Sequence, residues 1–197
     1  MEKERYANIK RKTKETDIEC TFEINGKGIA NVSTGVGFFD HMLEGFTRHG
    51  LFDLALSVKG DLEVDTHHTI EDAGIVLGSA IKAAVGDKKG IKRYGSMILP
   101  MDETLIICSV DLCGRPYFVY DLTFDTEMVG EFPTEMAREF FYAVCYTAEM
   151  NLHIRQISGS NSHHIIEAAF KAFARALDEA TSIDSRIEGV ISTKGVL

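Results

Sequence analysis

A five-residue pattern occurs twice in this chain: His67-His68-Thr69-Ile70-Glu71 and His163-His164-Ile165-Ile166-Glu167. Each opens a stretch with helical hydrophobic periodicity. A matched motif in the two halves of a 197-residue chain points to an internal repeat, so the fold is expected to use one supersecondary unit twice. The residue types also point to chemistry. Four imidazoles and two carboxylates form a ligand set suited to first-row transition metals, so a duplicated, dinuclear site is expected.

The two halves carry the same order of elements. In the first, residues 5–13 and 17–24 interleave apolar and β-branched residues with charges and predict strands. Asn25-Gly26 predicts a tight type I′ hairpin turn, which needs positive φ at both central residues. A third strand is expected over Gly28–Ser33. Phe38, Phe39, Met42, Leu43 and Phe46 follow at helical spacing and predict a helix ending near Gly50. Leu51–Val58 reads as a strand. Residues 67–85 read as a helix with Ile70, Ala73, Gly74, Leu77, Ile81 and Ala84 on one stripe.

The second half predicts strands near 94–99, 103–111 and 117–124. A helix over about 134–150 would face Ala137, Phe140, Phe141, Val144 and Ala148 inward. A short strand, 152–157, leads to a helix over 162–181 with Ile166, Ala169, Phe170, Phe173 and Leu177 as its stripe. Each half therefore reads β-β-β-α-β-α. The expected class is α+β, with two pseudo-symmetric repeats, residues 1–92 and 93–197. Each is a mostly antiparallel four-stranded sheet with helices on one face, and the two together make one catalytic unit.

Composition narrows the function. Net charge is −9, which argues against a nucleic-acid partner, because such binding needs a basic surface. The charged start, Met1-Glu2-Lys3-Glu4-Arg5, has no apolar core of a signal peptide, and no run approaches a membrane span. Cys20, Cys108, Cys113 and Cys145 are scattered without a C-x-x-C pair, as expected for reduced thiols in a cytoplasmic protein.

Spacing explains why the motif suits two ions. Residues four apart lie on one face of a helix, so His67 can grip an ion with Glu71, and His163 with Glu167. His68 and His164 are rotated by roughly 100° and are free to reach a second ion. Further histidines lie close in the plan. His41 opens the first helix and His153 lies on the strand before His163, which adds both to the metal candidates. His49, next to Gly50, either complements the helix dipole or contacts substrate. Imidazole and carboxylate ligands suit Mn, Fe, Co, Ni or Zn without choosing among them.

Several stretches together resemble the imidazoleglycerol-phosphate dehydratase family of histidine biosynthesis. They are Gly37-Phe38-Phe39-Asp40-His41-Met42-Leu43, Asp65-Thr66-His67-His68-Thr69-Ile70-Glu71-Asp72, Pro100-Met101-Asp102-Glu103 and Asp111-Leu112-Cys113-Gly114-Arg115-Pro116. Gly159 to Lys171, around the second motif, and Ser192-Thr193-Lys194-Gly195 complete the set. The departures are Thr66, where the family often has a second acid, Cys113 for a common Ser, and Ile191 for a common Pro. None removes a ligand or a charge the chemistry needs.

The resemblance implies a ribosomal protein S5 domain 2-like fold. It implies metal-dependent dehydration of D-erythro-imidazole-glycerol phosphate to imidazole-acetol phosphate and water, with two Mn2+ ions per active site. It also implies an assembly of trimers totalling roughly two dozen subunits, with active sites between them. Glu15, in the turn between the first two strands, matches the family's catalytic glutamate, and Asp102-Glu103 is its counterpart in the second half. His67, Glu71, His163 and Glu167 count as catalytic through the ions they would hold. These ions would serve as templates and Lewis acids and not as hydroxide generators.

The phosphate needs cations. Arg93 and Arg115 match the family's phosphate-binding arginines. Lys171 lies one helical turn beyond Glu167, and Ser192-Thr193-Lys194 adds hydroxyls and a charge. His41 and His49 are further substrate-contact candidates. A dinuclear metallohydrolase acting on a small phosphorylated substrate is the competing enzyme reading. A nucleic-acid module or a metal-storage shell is the non-enzymatic one; the net charge of −9 weighs against the first, and the second would not require Glu15, Arg93 and Arg115.

Overall fold

A computed structural model describes residues 5–196. The first half contains β1 (Tyr6–Lys12), β2 (Thr16–Glu23), β3 (Ala30–Ser33), α1 (Gly37–Gly50), β4 (Asp53–Gly60) and α2 (His67–Val85). The second contains β5 (Tyr94–Met101), β6 (Thr104–Asp111), β7 (Tyr117–Asp121), a small β8 (Met128–Val129) and β9 (Phe132–Pro133) pair, α3 (Met136–Ala148), β10 (Asn151–Ser158) and α4 (Ser162–Thr181).

Sheet topology carries the duplication. The first sheet runs β1-β2-β4-β3 and the second β5-β6-β10-β7. In each, the first two pairings are antiparallel and the last, β3 with β4 or β7 with β10, is parallel. The class is α+β with mostly antiparallel sheets, as the alternation of residues implied.

The sheets lie outside and the helices between them. α2 packs on β1 and β2, α4 on β5 and β6, while α1 meets α4 and α2 meets α3. Each helix is thus covered on more than one side, so α2 buries Val76, Gly78 and Ala80 as well as its expected stripe. α2 and α3 approach closely because α2 carries glycines there. A methyl on Gly78 would lie 2.0 Å from Thr147 Oγ1, and one on Gly74 2.8 Å from the Phe140 carbonyl. Phenylalanines join the halves: Phe39 meets Phe140 at 5.2 Å between centroids and Phe170 at 6.5 Å, and Phe46 meets Phe173 at 5.5 Å. The four cysteines are buried and unpaired, and burial pushes the Cys20 thiol up to about 12.

The turn at Asn25-Gly26 differs from expectation. β3 does not form a hairpin with β2, because β4 lies between them. Neither Asn25 nor Gly26 has a positive φ; that conformation falls on Gly28, at 80°. The Asp53 carboxylate decides the path. Its Oδ1 accepts the N–H groups of Lys27 at 2.7 Å and Ile29 at 2.9 Å, drawing the loop across the start of β4. A Cβ on Gly26 would lie 2.2 Å from the Asp53 nitrogen, so glycine serves close passage here. β7 also stops at Asp121 instead of 124, and the Thr123 N–H donates to Gln156 Oε1 instead of a strand.

Candidate metal and substrate site

Helix α4 starts on a cap. Asn161 Oδ1 accepts the backbone N–H groups of His163 at 3.0 Å and His164 at 3.3 Å, which fixes the first turn of the motif. One helical face then presents His163, Glu167 and Lys171 in succession. His163 Nε2 lies 3.0 Å from Glu167 Oε2, and Lys171 Nζ lies 2.7 Å from Glu167 Oε1. α1 packs alongside and brings His41 Nε2 to 3.9 Å from Glu167 Oε2. Ligand atoms of His41, His163 and Glu167 all lie within 4.8 Å of one another, the one such group among the described residues. Phe38 closes the apolar side, 5.0 Å from the His163 ring.

Electrostatics favours a charged carboxylate at this centre. Burial alone would raise Glu167, but Lys171 and His163 hold it below its ordinary range. His49, two turns beyond His41 on α1, is pushed down by burial and by Lys171, and so favours the neutral imidazole. It therefore lies beside the cluster, and its backbone carbonyl accepts from Arg175 at 3.1 Å.

At the start of α2 the same geometry is looser. Asp65 Oδ1 accepts the His67 N–H at 2.7 Å. His67 Nε2 is 3.7 Å from Glu71 Oε2, which puts the two on one face as spacing required. The adjacent histidines diverge: the His67 and His68 rings are inclined at 75°, those of His163 and His164 at 85°.

Those second histidines are held alike. His68 Nδ1 meets Asp61 Oδ2 at 3.0 Å, and His164 Nδ1 meets Glu103 Oε2 at 2.8 Å. A carboxylate only accepts, so the proton sits on Nδ1 and the Nε2 lone pair of the neutral ring stays free. Each Nε2 then faces an acid on a β-turn: Glu15 Oε1 at 3.9 Å from His68, and Asp102 Oδ2 at 3.7 Å from His164. Asp61 and Glu103 are the functional carboxylates that spacing missed. Glu103 is noticeable only as the match of the Glu15 turn, and Asp61 lies in a loop with no motif around it.

The phosphate candidates lie elsewhere. Arg93 precedes β5 and pairs with Asp111 at 2.7 Å, while its Nη1 donates to the Ile191 carbonyl at 2.6 Å, next to Ser192, Thr193 and Lys194. Exposed Arg115 sits before β7, its carbonyl accepting from Asn151 at the start of β10. Glu103 and His164 lie at the other end of this sheet. Eight-residue strands at about 3.3 Å per residue put roughly 25 Å between the two ends. Lys171 alone of the phosphate candidates joins the metal cluster. His153 joins neither motif within the chain, because it points from β10 to the outer sheet face and stacks on Tyr117 at 6.3 Å.

The donor set fits a transition metal. Two imidazoles and a carboxylate converge, and outer carboxylates fix the second histidines in the ligating tautomer. Such a centre can bind and polarise a substrate ring or oxygen.

Comparison with known proteins gives the family. The family model for imidazoleglycerol-phosphate dehydratase matches residues 34–177. The imidazoleglycerol-phosphate dehydratase of Lachnoclostridium phytofermentans is 60% identical over 98% of this chain and 98% of its own length. That of Acetivibrio thermocellus is 58% identical over 98% of this chain and all of its own. The Staphylococcus aureus crystal structure superposes with a TM-score of 0.83 at 40% identity, over 91% of this chain and 99% of that one. The Pyrococcus furiosus structure gives 0.84 at 36%, over 96% and 100%. This chain belongs to the imidazoleglycerol-phosphate dehydratase family of hydro-lyases.

Proposed function

We propose that this protein dehydrates imidazoleglycerol phosphate to imidazole-acetol phosphate and water in histidine biosynthesis, with two Mn2+ ions per active site. The observation that carries the metal dependence is the convergence of His41, His163 and Glu167, in a chain whose relatives carry this activity by name. His41, His163 and Glu167 would hold one ion; His67 and Glu71 would hold the other. His68 and His164 turn Nε2 away from their own motifs, which supports ligation across a subunit boundary. When bound, the ions supply Lewis acidity that draws electron density from the substrate imidazole.

The remaining work falls to protein groups. The proton on the carbon bearing the central hydroxyl is not flanked by a carbonyl, so a positioned base must take it. Glu15 is that base. The hydroxyl next to the imidazole departs with a proton as water, and the resulting enol gives up its O–H proton as it gains one on carbon to become the ketone. Arg93, Arg115, Lys171, Ser192, Thr193 and Lys194 neutralise and orient the phosphate, and His49 is a neutral contact. The 25 Å scale separating Arg93 and Arg115 from the motifs supports a site built from more than one subunit of a homo-oligomer. His153, on the outer sheet face, would reach a metal only across such a boundary. The two halves, 1–92 and 93–197, act as one catalytic unit, working in the cytoplasm. No helix among the described residues is long and apolar enough to cross a membrane.

Mass spectrometry of the product tests this reading. Loss of water from imidazoleglycerol phosphate is expected. Release of inorganic phosphate instead would mark a hydrolase and contradict it.

A further inference from the structure

The turn that carries Glu15 is braced from below by a residue outside the metal and phosphate sets. Asp72 follows Glu71 and lies four residues past His68, one turn along the same face of α2. Its residue is only 7% exposed. Its Oδ2 accepts the Thr16 hydroxyl at 2.5 Å and pairs with Arg11 of β1. A carboxylate only accepts, so the Thr16 proton is committed to Asp72. The Thr13 hydroxyl, 3.3 Å from Thr16 Oγ1, must then donate to it. The Thr13 oxygen in turn accepts the backbone N–H groups of Glu15 at 3.1 Å and Thr16 at 3.0 Å. A continuous chain of bonds thus runs from the motif helix to the backbone of Glu15.

The second half has no such brace. Four residues past His164 stands Ala168, which has no polar atom to offer the turn. Glu103 is itself consumed there, with Oε1 accepting the N–H groups of Ser160 at 3.3 Å and Asn161 at 2.9 Å, and Oε2 taking His164. Asp102 is left 77% exposed, on a turn held instead from β10, where Ser158 Oγ donates to the Glu103 carbonyl at 3.0 Å. The first turn combines a backbone tied to the motif helix through Asp72 with a carboxylate that makes no hydrogen bond of its own among the described residues; the nearest partner of Glu15 is His68 Nε2, at 3.9 Å.

Resting on the proposed role of Glu15, we infer that Asp72, acting through Thr16 and Thr13, is the positioning residue that holds Glu15 in register with His68. Because Asp72 and His68 share one rigid helical face, the base and the motif move as a single body. Loss of the brace leaves the metal motif intact and misplaces the base. A displacement near 1 Å in such a group costs on the order of 100-fold in rate.

The test uses the assembled, Mn2+-loaded protein. Thr16→Val keeps the β-branched shape and removes the donor; Thr16→Ser keeps the donor; Thr13→Val, which removes the oxygen that accepts the Glu15 N–H, is a second break in the chain should Thr16→Val not fold. Expected is a fall in kcat of roughly 10–100-fold for Thr16→Val and Thr13→Val, with KM, Mn2+ affinity and melting temperature near wild type, and recovery in Thr16→Ser. A purely structural brace would lower the melting temperature and leave kcat of the folded protein unchanged. Glu15→Gln is run in parallel. If it loses turnover while Thr16→Val and Thr13→Val keep wild-type kcat, the brace is overturned and the base stands. If Glu15→Gln is fully active, the base reading falls, and the brace falls with it.

Discussion

His68 presents Nδ1 to Asp61 at 3.0 Å, and His164 repeats the arrangement with Glu103 at 2.8 Å, although the two acids come from different places in their repeats. Asp61 follows β4, whereas Glu103 sits in the β5–β6 turn. Two solutions to one requirement point to the requirement itself, a fixed Nε2 lone pair. Asp61→Asn or Glu103→Gln is expected to weaken Mn2+ binding by roughly 10–100-fold, with the fold retained. Titration calorimetry on metal-stripped protein reads this directly, and unchanged affinity in both variants would remove the acids from the metal site.

Arg115 sits at the end of the second sheet remote from Glu103 and His164, and the proposed function has a neighbouring subunit bring such an arginine to the metal ligands, Glu71 among them. Arg115→Ala and Glu71→Gln proteins are each expected to be nearly inactive. When they are dissociated, mixed in equal amounts and reassembled, random pairing makes about a quarter of the shared sites intact. Turnover that stays at the level of the separate variants would place all the site residues on one subunit.

Phe170 is a keystone between the halves. It is 1% exposed, meets Phe39 of the first half edge-on at 6.5 Å and stacks on Phe140 of the second at 5.0 Å. Phe170→Ala is expected to cost roughly 3–5 kcal/mol of stability, because the helices on all sides prevent collapse into the gap. Chemical denaturation measures it. A cost below about 1 kcal/mol would show that the helical layer repacks freely.

Acid should loosen the C-terminal segment first. Asp184 accepts the Arg186 backbone N–H at 3.0 Å and its guanidinium Nε at 2.9 Å, and these hold its carboxyl well below the usual 3.8. The folded state therefore binds this proton less readily than the unfolded state. The stabilisation is complete above 3.8 and is lost as pH falls through the depressed folded value. Wild type should melt above Asp184→Asn at neutral pH, with the gap closing in acid; a gap independent of pH would exclude the carboxylate as its source.

Helices were legible because their stripes repeat over many residues, as with Ile166, Phe170 and Phe173, and each stripe turned inward. The i,i+4 pairing of His163 with Glu167 was legible for the same reason. Pairing partners were not. Asn25-Gly26 looks like a hairpin locally, but the distant Asp53 carboxylate redirects the chain, and β8 and β9 are too short to leave a pattern. Glu103 and Asp72 make contacts between elements far apart in the chain, and Asp61 meets His68 from a loop seven residues earlier that carries no motif. Only the position of Asp72, four residues past His68, hinted at a shared face. Nor could spacing reveal that Arg93 and Arg115 sit at the sheet end remote from the motifs.

The most direct measurement is turnover of imidazoleglycerol phosphate by chelator-stripped protein, with and without added Mn2+. Imidazole-acetol phosphate should form only when the metal is restored. Equal turnover in stripped and restored protein would contradict the metal-dependent account, as would no dehydration by protein that has rebound its metal.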